Sequence, residues 1–121
     1  MAALNEGKHR GEFLHSEANR TISREQVTVA QSVVLSAGTV MGMVTATSKY
    51  KILAPAATDG TQNASAILFD NVDASVADSL ATIIARQAEV NGSEIVWPAG
   101  ITAPQIATAT AALAANGIRI R

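Results

Sequence analysis

Few side chains in this sequence could carry out chemistry, and they do not form a catalytic set. Both histidines, His9 and His15, lie in the first 25 residues. A histidine that acts as a base must be held in place by neighbouring groups, and that polar segment provides no framework for either ring. Asp70, Asp73 and Asp78 form an acidic run of a kind that hard cations prefer, but its spacing differs from an EF-hand loop. We therefore expect solvated histidines and a solvated acidic loop.

Two other features could hold a ligand. The Gly38–Gly42 segment lacks the lysine and the following helix of a phosphate-binding loop. Trp97, which Pro98 follows, could form a ligand platform, but a lone tryptophan at a strand end more often anchors a core or an interface. We predict that Trp97 and Pro98 form a core or oligomer anchor. We also predict that the chain is not an enzyme and uses no catalytic residue, cofactor or metal.

The sequence divides into two parts of different composition. The chain has 121 residues, a length typical of one domain, and its first 25 residues carry eight of its 19 charged side chains, four of each sign. The remainder is rich in Val, Ile, Ala and Thr. We predict a flexible arm over residues 1–25 and a compact domain over residues 26–121.

The arm has no sustained apolar period, and Gly7 and Gly11 would break a helix. Such a segment can order when it contacts a partner; the alternative is a disordered tail without a role. The pair Phe13-Leu14 favours a contact role. The predicted contact residues are Glu12, Phe13, Leu14, Ser16, Thr21, Ile22, Ser23, Arg24 and Glu25.

The body predicts a mainly β fold with one short C-terminal helix. The predicted strands cover residues 26–30, 39–46, 50–53, 65–69, 80–87, 94–97 and 118–121. Asn91-Gly92 predicts a type I′ hairpin turn before the strand at 94–97. The helix is predicted over residues 103–115, with Thr102 as its N-cap and Asn116-Gly117 as its left-handed C-terminal cap.

The composition and charge of the chain limit the classes of partner that it could bind. The chain is 48% hydrophobic but only 3% aromatic, and a small domain with such a light core often gains stability by forming an oligomer. A net charge of −1 without a basic stripe argues against nucleic acid as a partner. No apolar run approaches the ~20 residues that a membrane span needs, so no membrane partner is expected. With no cysteine and no secretory signal, we expect synthesis in a cytosol.

From Val27 onward the sequence resembles the lambda-type phage head decoration protein family. The features that carry the resemblance occur in the family's order. They are the turn at 35–40, the loop Thr58-Asp59-Gly60-Thr61, the strand Ala66-Ile67-Leu68-Phe69, the segment Glu94-Ile95-Val96-Trp97-Pro98, and the alanine-rich helix that ends in Gly117-Ile118-Arg119-Ile120.

The resemblance implies structural work on a virion. Family members have a compact mixed fold of the β-clip kind. They bind as trimers outside the expanded head, at three-fold and quasi-three-fold positions, and stabilise it against the pressure of packaged DNA. The implied partners are the major capsid protein of a tailed phage and the chain itself as a homotrimer, and the predicted contact residues of the arm are then those that bind the capsid. The implied location is the outer capsid surface, after synthesis in the host bacterial cytoplasm.

Two alternatives belong to other classes. A small β-clip module could bind carbohydrate or act as an assembly chaperone, with the loops Ala54–Ala64 and Asp70–Ser79 lining its ligand site. A β-rich hydrolase of the dUTPase type would need ordered carboxylate and glycine-rich motifs, which this sequence lacks. Oligomeric state and binding to capsids would distinguish the decoration protein from the β-clip module.

Overall fold

The computed structural model describes residues 9–121, in which ten β-strands combine with one C-terminal α-helix. The first eight residues of the predicted arm lie outside the described residues. The predicted fold class, mainly β with one short C-terminal helix, is confirmed. The strands are β1 (Leu14–Glu17), β2 (Arg24–Val29), β3 (Val34–Leu35), β4 (Val40–Met43), β5 (Tyr50–Ile52), β6 (Ala66–Leu68), β7 (Val72–Asp73), β8 (Ser79–Ile84), β9 (Ala88–Val90) and β10 (Ile118–Ile120). The helices are α1 (Arg20–Ser23), which is a single turn, and α2 (Ala103–Ala115).

Five of these strands close into a barrel in the order β2-β5-β4-β6-β8. The longest ladder joins β2 to β8 in antiparallel register, from Arg24 opposite Ile84 to Val29 opposite Ser79. A parallel contact between Val29 and Tyr50 closes the barrel between β2 and β5. Closure leaves these strands without a free edge, which removes a common route to aggregation.

Alternate residues along the barrel strands face two separate hydrophobic clusters, as the period of two in a β-strand requires. On β8, Ile83 belongs to a cluster that draws residues from all five barrel strands, so this cluster fills the barrel interior. Its neighbour Ile84 belongs to a second cluster on the outside of the barrel. Ile67, between Ala66 and Leu68 on β6, also belongs to the outer cluster, whereas those two neighbours point inside.

The outer cluster is covered by α2 and by a small sheet of order β1-β9-β10. Leu113 of α2 and Ile118 of β10 are fully buried there. β9 pairs antiparallel with β1 and parallel with β10. The light core predicted from composition is therefore divided into two layers that share the barrel wall.

The helix α2 forms where the local signals predicted it. The Thr102 hydroxyl accepts a hydrogen bond from the Gln105 backbone N–H, and the Gln105 side chain accepts one from the Thr102 N–H, which completes a capping box. Gly117 adopts a φ of +81°, so the left-handed end is also confirmed. Both signals act within one turn of the helix end that they mark.

The predicted hairpin at Asn91-Gly92 is wrong, and so is the strand predicted over 94–97. Asn91 has a φ of −83°, not the positive value of a type I′ turn, and Gly92–Glu94 form one turn of 3-10 helix. The Asn91 side chain accepts from the Ser93 N–H. Its backbone N–H donates to the Phe13 carbonyl oxygen at 2.7 Å. Both sides of β9 are paired, by β1 and by β10, so the chain that follows β9 does not form a hairpin with it.

The predicted strand over 39–46 ends early at Met43. At Gly42, inside β4, an added Cβ would lie 2.6 Å from the Thr61 carbonyl oxygen. The glycine therefore permits the backbone after β5 to pass directly over β4, which is one of the situations in which a glycine occurs within a strand.

Candidate functional site

The described part of the predicted arm lies against the body of the protein. Phe13 is fully buried in the outer cluster, beneath the sheet that contains β1. β1 pairs with β9, with Leu14 opposite Val90 and Glu17 opposite Ala88. The predicted boundary at residue 26 does not coincide with a break in the fold, since β2 runs through it.

A contact to the Phe69 ring secures the start of this segment. The Arg24 guanidinium carbon lies 4.0 Å from the ring centroid, and that of Arg10 lies 5.2 Å away, so both are in range for cation–π attraction. The Gly11 N–H donates to the Phe69 carbonyl oxygen at 2.8 Å. Gly11 has a φ of +68°, and a Cβ there would lie 2.6 Å from the Phe69 ring. Only a glycine fits this approach without a shift.

An ion pair joins β1 to β2. The Arg24 guanidinium donates from Nε to Glu17 Oε2 at 3.0 Å and from Nη2 to Glu17 Oε1 at 2.6 Å. This two-pronged geometry suits a planar guanidinium and a carboxylate. Both side chains are mostly buried. The pair therefore fixes the direction in which the chain turns from β1 through α1 into β2.

Ser23 closes the same turn from inside. Its hydroxyl accepts from the Ala18 N–H at 3.0 Å and donates to the Gln87 carbonyl oxygen at 3.0 Å. Gln87 adopts a φ of +50°, and β8 ends at Ile84 rather than continuing to Gln87 as predicted. This buried serine thus links the N-terminal segment to the turn between β8 and β9.

The structure divides the predicted contact residues by exposure. Phe13 and Ser23 are buried, and Leu14 and Arg24 are half-buried. Thr21 lies in α1. The members with exposed side chains are Glu12, Ser16, Ile22 and Glu25. Glu25 forms an ion pair with Arg86 at 2.9 Å. The exposed side chains of this segment therefore lie just before β1, on β1, in α1 and at the start of β2.

Trp97 is half-buried and packs against the outer cluster. The preceding residue, Val96, forms a parallel bridge to Thr39 and accepts a hydrogen bond from the Val40 N–H at 3.1 Å. Pro98 is also half-buried. The ring therefore has one face on the core and part of its surface in solvent.

The acidic residues of the loops stabilise turns rather than gather round a common point. The Ser75 hydroxyl and N–H both donate to Asp73, and they hold its pKa below the ordinary value. Lys49 and the Gln31 N–H lower the pKa of Asp78 in the same way. Among the described residues, no group of three or more His, Cys, Asp or Glu side chains could hold a metal ion.

One further concave surface lies between α2 and the loop that follows β5. Its volume is about 350 Å³. Leu53, Pro55 and Ala64 line one side, and Pro104, Ala109 and Ala112 line the other. Sequence patterns did not indicate this recess, because it is formed only when the helix packs beside the loop.

The match to a known family covers nearly the whole chain. Residues 3–118 match the family model described as bacteriophage lambda head decoration protein D. The chain belongs to this family. Among curated proteins, no significant match to the chain is found.

Membership of the head decoration family confirms the resemblance on which the sequence analysis relied. The match begins at residue 3, so it includes the charged N-terminal segment, whereas the features recognised in the sequence began at Val27. The family is structural and resides on the phage capsid. Within residues 9–121, no helix has the length and apolarity needed to cross a membrane.

Proposed function

We propose that this chain is a cementing protein that binds as a homotrimer to the outside of an expanded phage head. The major capsid protein is its partner, and the binding positions are the three-fold and quasi-three-fold axes. The single observation that carries this proposal is the match to the head decoration family over residues 3–118. The two-layered fold, in whose described residues no metal-binding cluster is assembled, is compatible with such structural work.

The stabilising effect follows from how a trimer would bridge the shell. A trimer that holds several capsid subunits at once makes their separation require the loss of several contacts together. Linked contacts of this kind raise overall avidity by about 10²–10⁴ without any new type of contact. The proposed result is a head that resists the outward pressure of packaged DNA.

We further propose that the N-terminal segment 12–25 provides contacts to the capsid. Its inward-facing members hold the segment on the body, so the capsid would meet the exposed ones, Glu12, Ser16, Ile22 and Glu25. Ile22 is 45% exposed despite its apolar side chain. An exposed apolar residue on a fixed turn is a suitable anchor for a partner surface.

Co-sedimentation with expanded, undecorated heads tests this function. The protein should bind expanded heads to saturation, bind unexpanded heads weakly, and raise the temperature at which expanded heads release DNA. Absence of binding to expanded heads would contradict the proposal.

A substitution at Ile22 tests the contribution of the N-terminal segment separately. Ile22→Asp should weaken head binding by about thirtyfold or more, since an interface anchor typically contributes about 2 kcal/mol or more. Ala46→Asp, which alters an exposed residue in the turn after β4, is the matched control. Equal binding by both variants would place the capsid contact elsewhere on the molecule.

A further inference from the structure

Most of the well-exposed large hydrophobic side chains lie in two segments that pair with each other, around β3 and around the β7–β8 loop. Within residues 9–121, four of the five large hydrophobic side chains that are well exposed come from two adjoining segments. Val33 is 54% exposed, Val34 64%, Val76 83% and Leu80 69%. We call these four residues the valine patch. Single exposed apolar residues are common on protein surfaces, but a group of them marks an interaction site.

Backbone pairing holds the two segments of the valine patch together. The Ser32 N–H donates to the Ala74 carbonyl oxygen at 2.9 Å, and Val34 lies opposite Asp73 in the β3–β7 pair. Leu80 lies opposite Thr28 on the adjacent barrel strands. The patch is therefore one region of the folded surface and not a set of unrelated side chains.

The loop that carries Val76 is fixed at both ends by aspartates. Asp73 accepts from the Ser75 N–H at 3.0 Å, and Asp78 accepts from the Gln31 N–H at 2.8 Å and from Lys49 Nζ at 2.6 Å. A surface loop that is already ordered loses little conformational entropy when a partner covers it. Val76 is thus presented in a fixed position, which favours its use in binding.

The recess beside α2 is concave and uncharged, so its surface is complementary to the exposed apolar side chains of the valine patch. It is lined by apolar side chains from α2 and the loop after β5, and its other lining residues are uncharged amides and a threonine. No charged side chain lines it, so an apolar group could enter without desolvating a charge. None of the four residues of the valine patch lines the recess, and the two surfaces adjoin different barrel strands.

We infer that the valine patch of one copy packs into the α2 recess of a second copy. This inference rests on the proposed homotrimer and specifies the faces that meet in it. Because the two faces differ, the contact is heterologous, and a heterologous contact closes into a ring when its rotation is that of a closed symmetry. Each copy then buries its own patch and has its own recess filled. The light core of the single chain gains apolar burial in this way.

Substitutions on either face should disperse the free oligomer without unfolding the chain. Val76→Asp places a charge on the patch, and Thr108→Arg fills the recess from its exposed rim. Light scattering should show a fall from the mass of a trimer to that of a monomer for each variant. Circular dichroism should show unchanged secondary structure, because both residues are exposed.

Two matched control variants introduce the same charged side chains at positions outside both faces. Ala99→Asp alters an exposed loop residue, and Ala111→Arg alters the exposed side of α2 that does not line the recess. Both controls should remain trimers. A mixture of Val76→Asp with Thr108→Arg retains one intact patch and one intact recess, so it should yield a one-to-one pair but no larger ring.

Head binding separates failure of this inference from failure of the proposed function. A wild-type monomer at high concentration, or Val76→Asp and Thr108→Arg variants that stay trimeric, would overturn the inference even if all of them coat heads. If Val76→Asp remains trimeric but loses head binding, the patch contacts the capsid instead of a second copy. A wild-type protein that forms the trimer but fails to bind expanded heads would contradict only the proposed function.

Discussion

Phe13 is the residue of the N-terminal segment on which the fold depends most. It is fully buried between the barrel wall and the small sheet. Phe13→Ala should reduce the free energy of unfolding by about 3–5 kcal/mol, the range for truncating a buried aromatic side chain. His15→Ala on the exposed side of β1 is the control and should change stability by less than about 0.5 kcal/mol. Urea denaturation measures both, and equal stability of the two variants would show that Phe13 is not a core residue in solution.

Variants of Trp97 can show whether this half-buried residue stabilises the core or contacts a partner. Because only part of its ring packs on the outer cluster, Trp97→Ala should cost less than the ~3–5 kcal/mol of a fully buried tryptophan. Trp97→Phe should recover most of the lost stability by keeping a ring on the core. Thermal unfolding measures the loss. Trp97 fluorescence that shifts to shorter wavelength on head binding would indicate that the exposed part of the ring enters an interface.

The sequence alone leaves two roles open for Phe13. An aromatic residue next to a leucine in a charged segment is compatible with an anchor for a partner and with a plug for the chain's own core. The deciding contacts come from residues far along the chain: the Asn91 N–H donates to the Phe13 carbonyl oxygen, and Phe69 belongs to the same buried cluster as Phe13. The role of residues 12–25 in capsid binding remains a prediction.

At the scale of elements, the Asp78 contacts predict a pH dependence for the loop between β7 and β8. Lys49 and then the Gln31 N–H lower the folded pKa of Asp78 below its ordinary value of 3.8. Its contribution to stability is therefore present above 3.8 and is lost as the pH falls through the lower, folded pKa. Compared at neutral pH and at a pH well below 3.8, Asp78→Asn should destabilise the protein in the first condition and have little effect in the second.

Urea denaturation at both pH values measures this effect. Asp70→Asn provides a control, since the exposed Asp70 carboxylate lies 3.7 Å from Arg10 and accepts from the Asn71 N–H, a hydrogen bond that an asparagine oxygen can also accept. A difference between wild type and Asp78→Asn that persists unchanged at low pH would exclude this ionised carboxylate as the cause.

Elements with local signals were predicted well, and elements that depend on distant partners were not. The bounds of α2 agree with the prediction because Thr102, Pro104 and Gly117 act within one turn of the helix. Asn91-Gly92 carried an equally strong local signal for a hairpin, but the pairing of β9 with β1 and β10 determined the backbone there. Short barrel strands such as β5 and β6 were located to within one residue, although their order around the barrel was not predictable from pattern alone.

At the scale of the whole molecule, composition indicated an oligomer and the family match indicates a capsid. Neither the valine patch nor the α2 recess is visible as a sequence motif, because each joins segments that the fold brings together. An isolated Val76 between Asp73 and Asp78 was a possible signal, since a large apolar residue is unusual in a polar loop. The sequence does not show that Val76 is exposed, because the position of its loop depends on the contacts that Asp78 makes with Gln31 and Lys49.

Electron cryomicroscopy of expanded heads with and without the added protein can show directly whether the protein cements the shell. We expect added density on the outer surface only, with three-fold shape, at the three-fold and quasi-three-fold positions. Each protrusion should accommodate three copies of the barrel with its N-terminal segment toward the shell. An unchanged outer surface, or density centred on the capsomers instead of between them, would contradict the account.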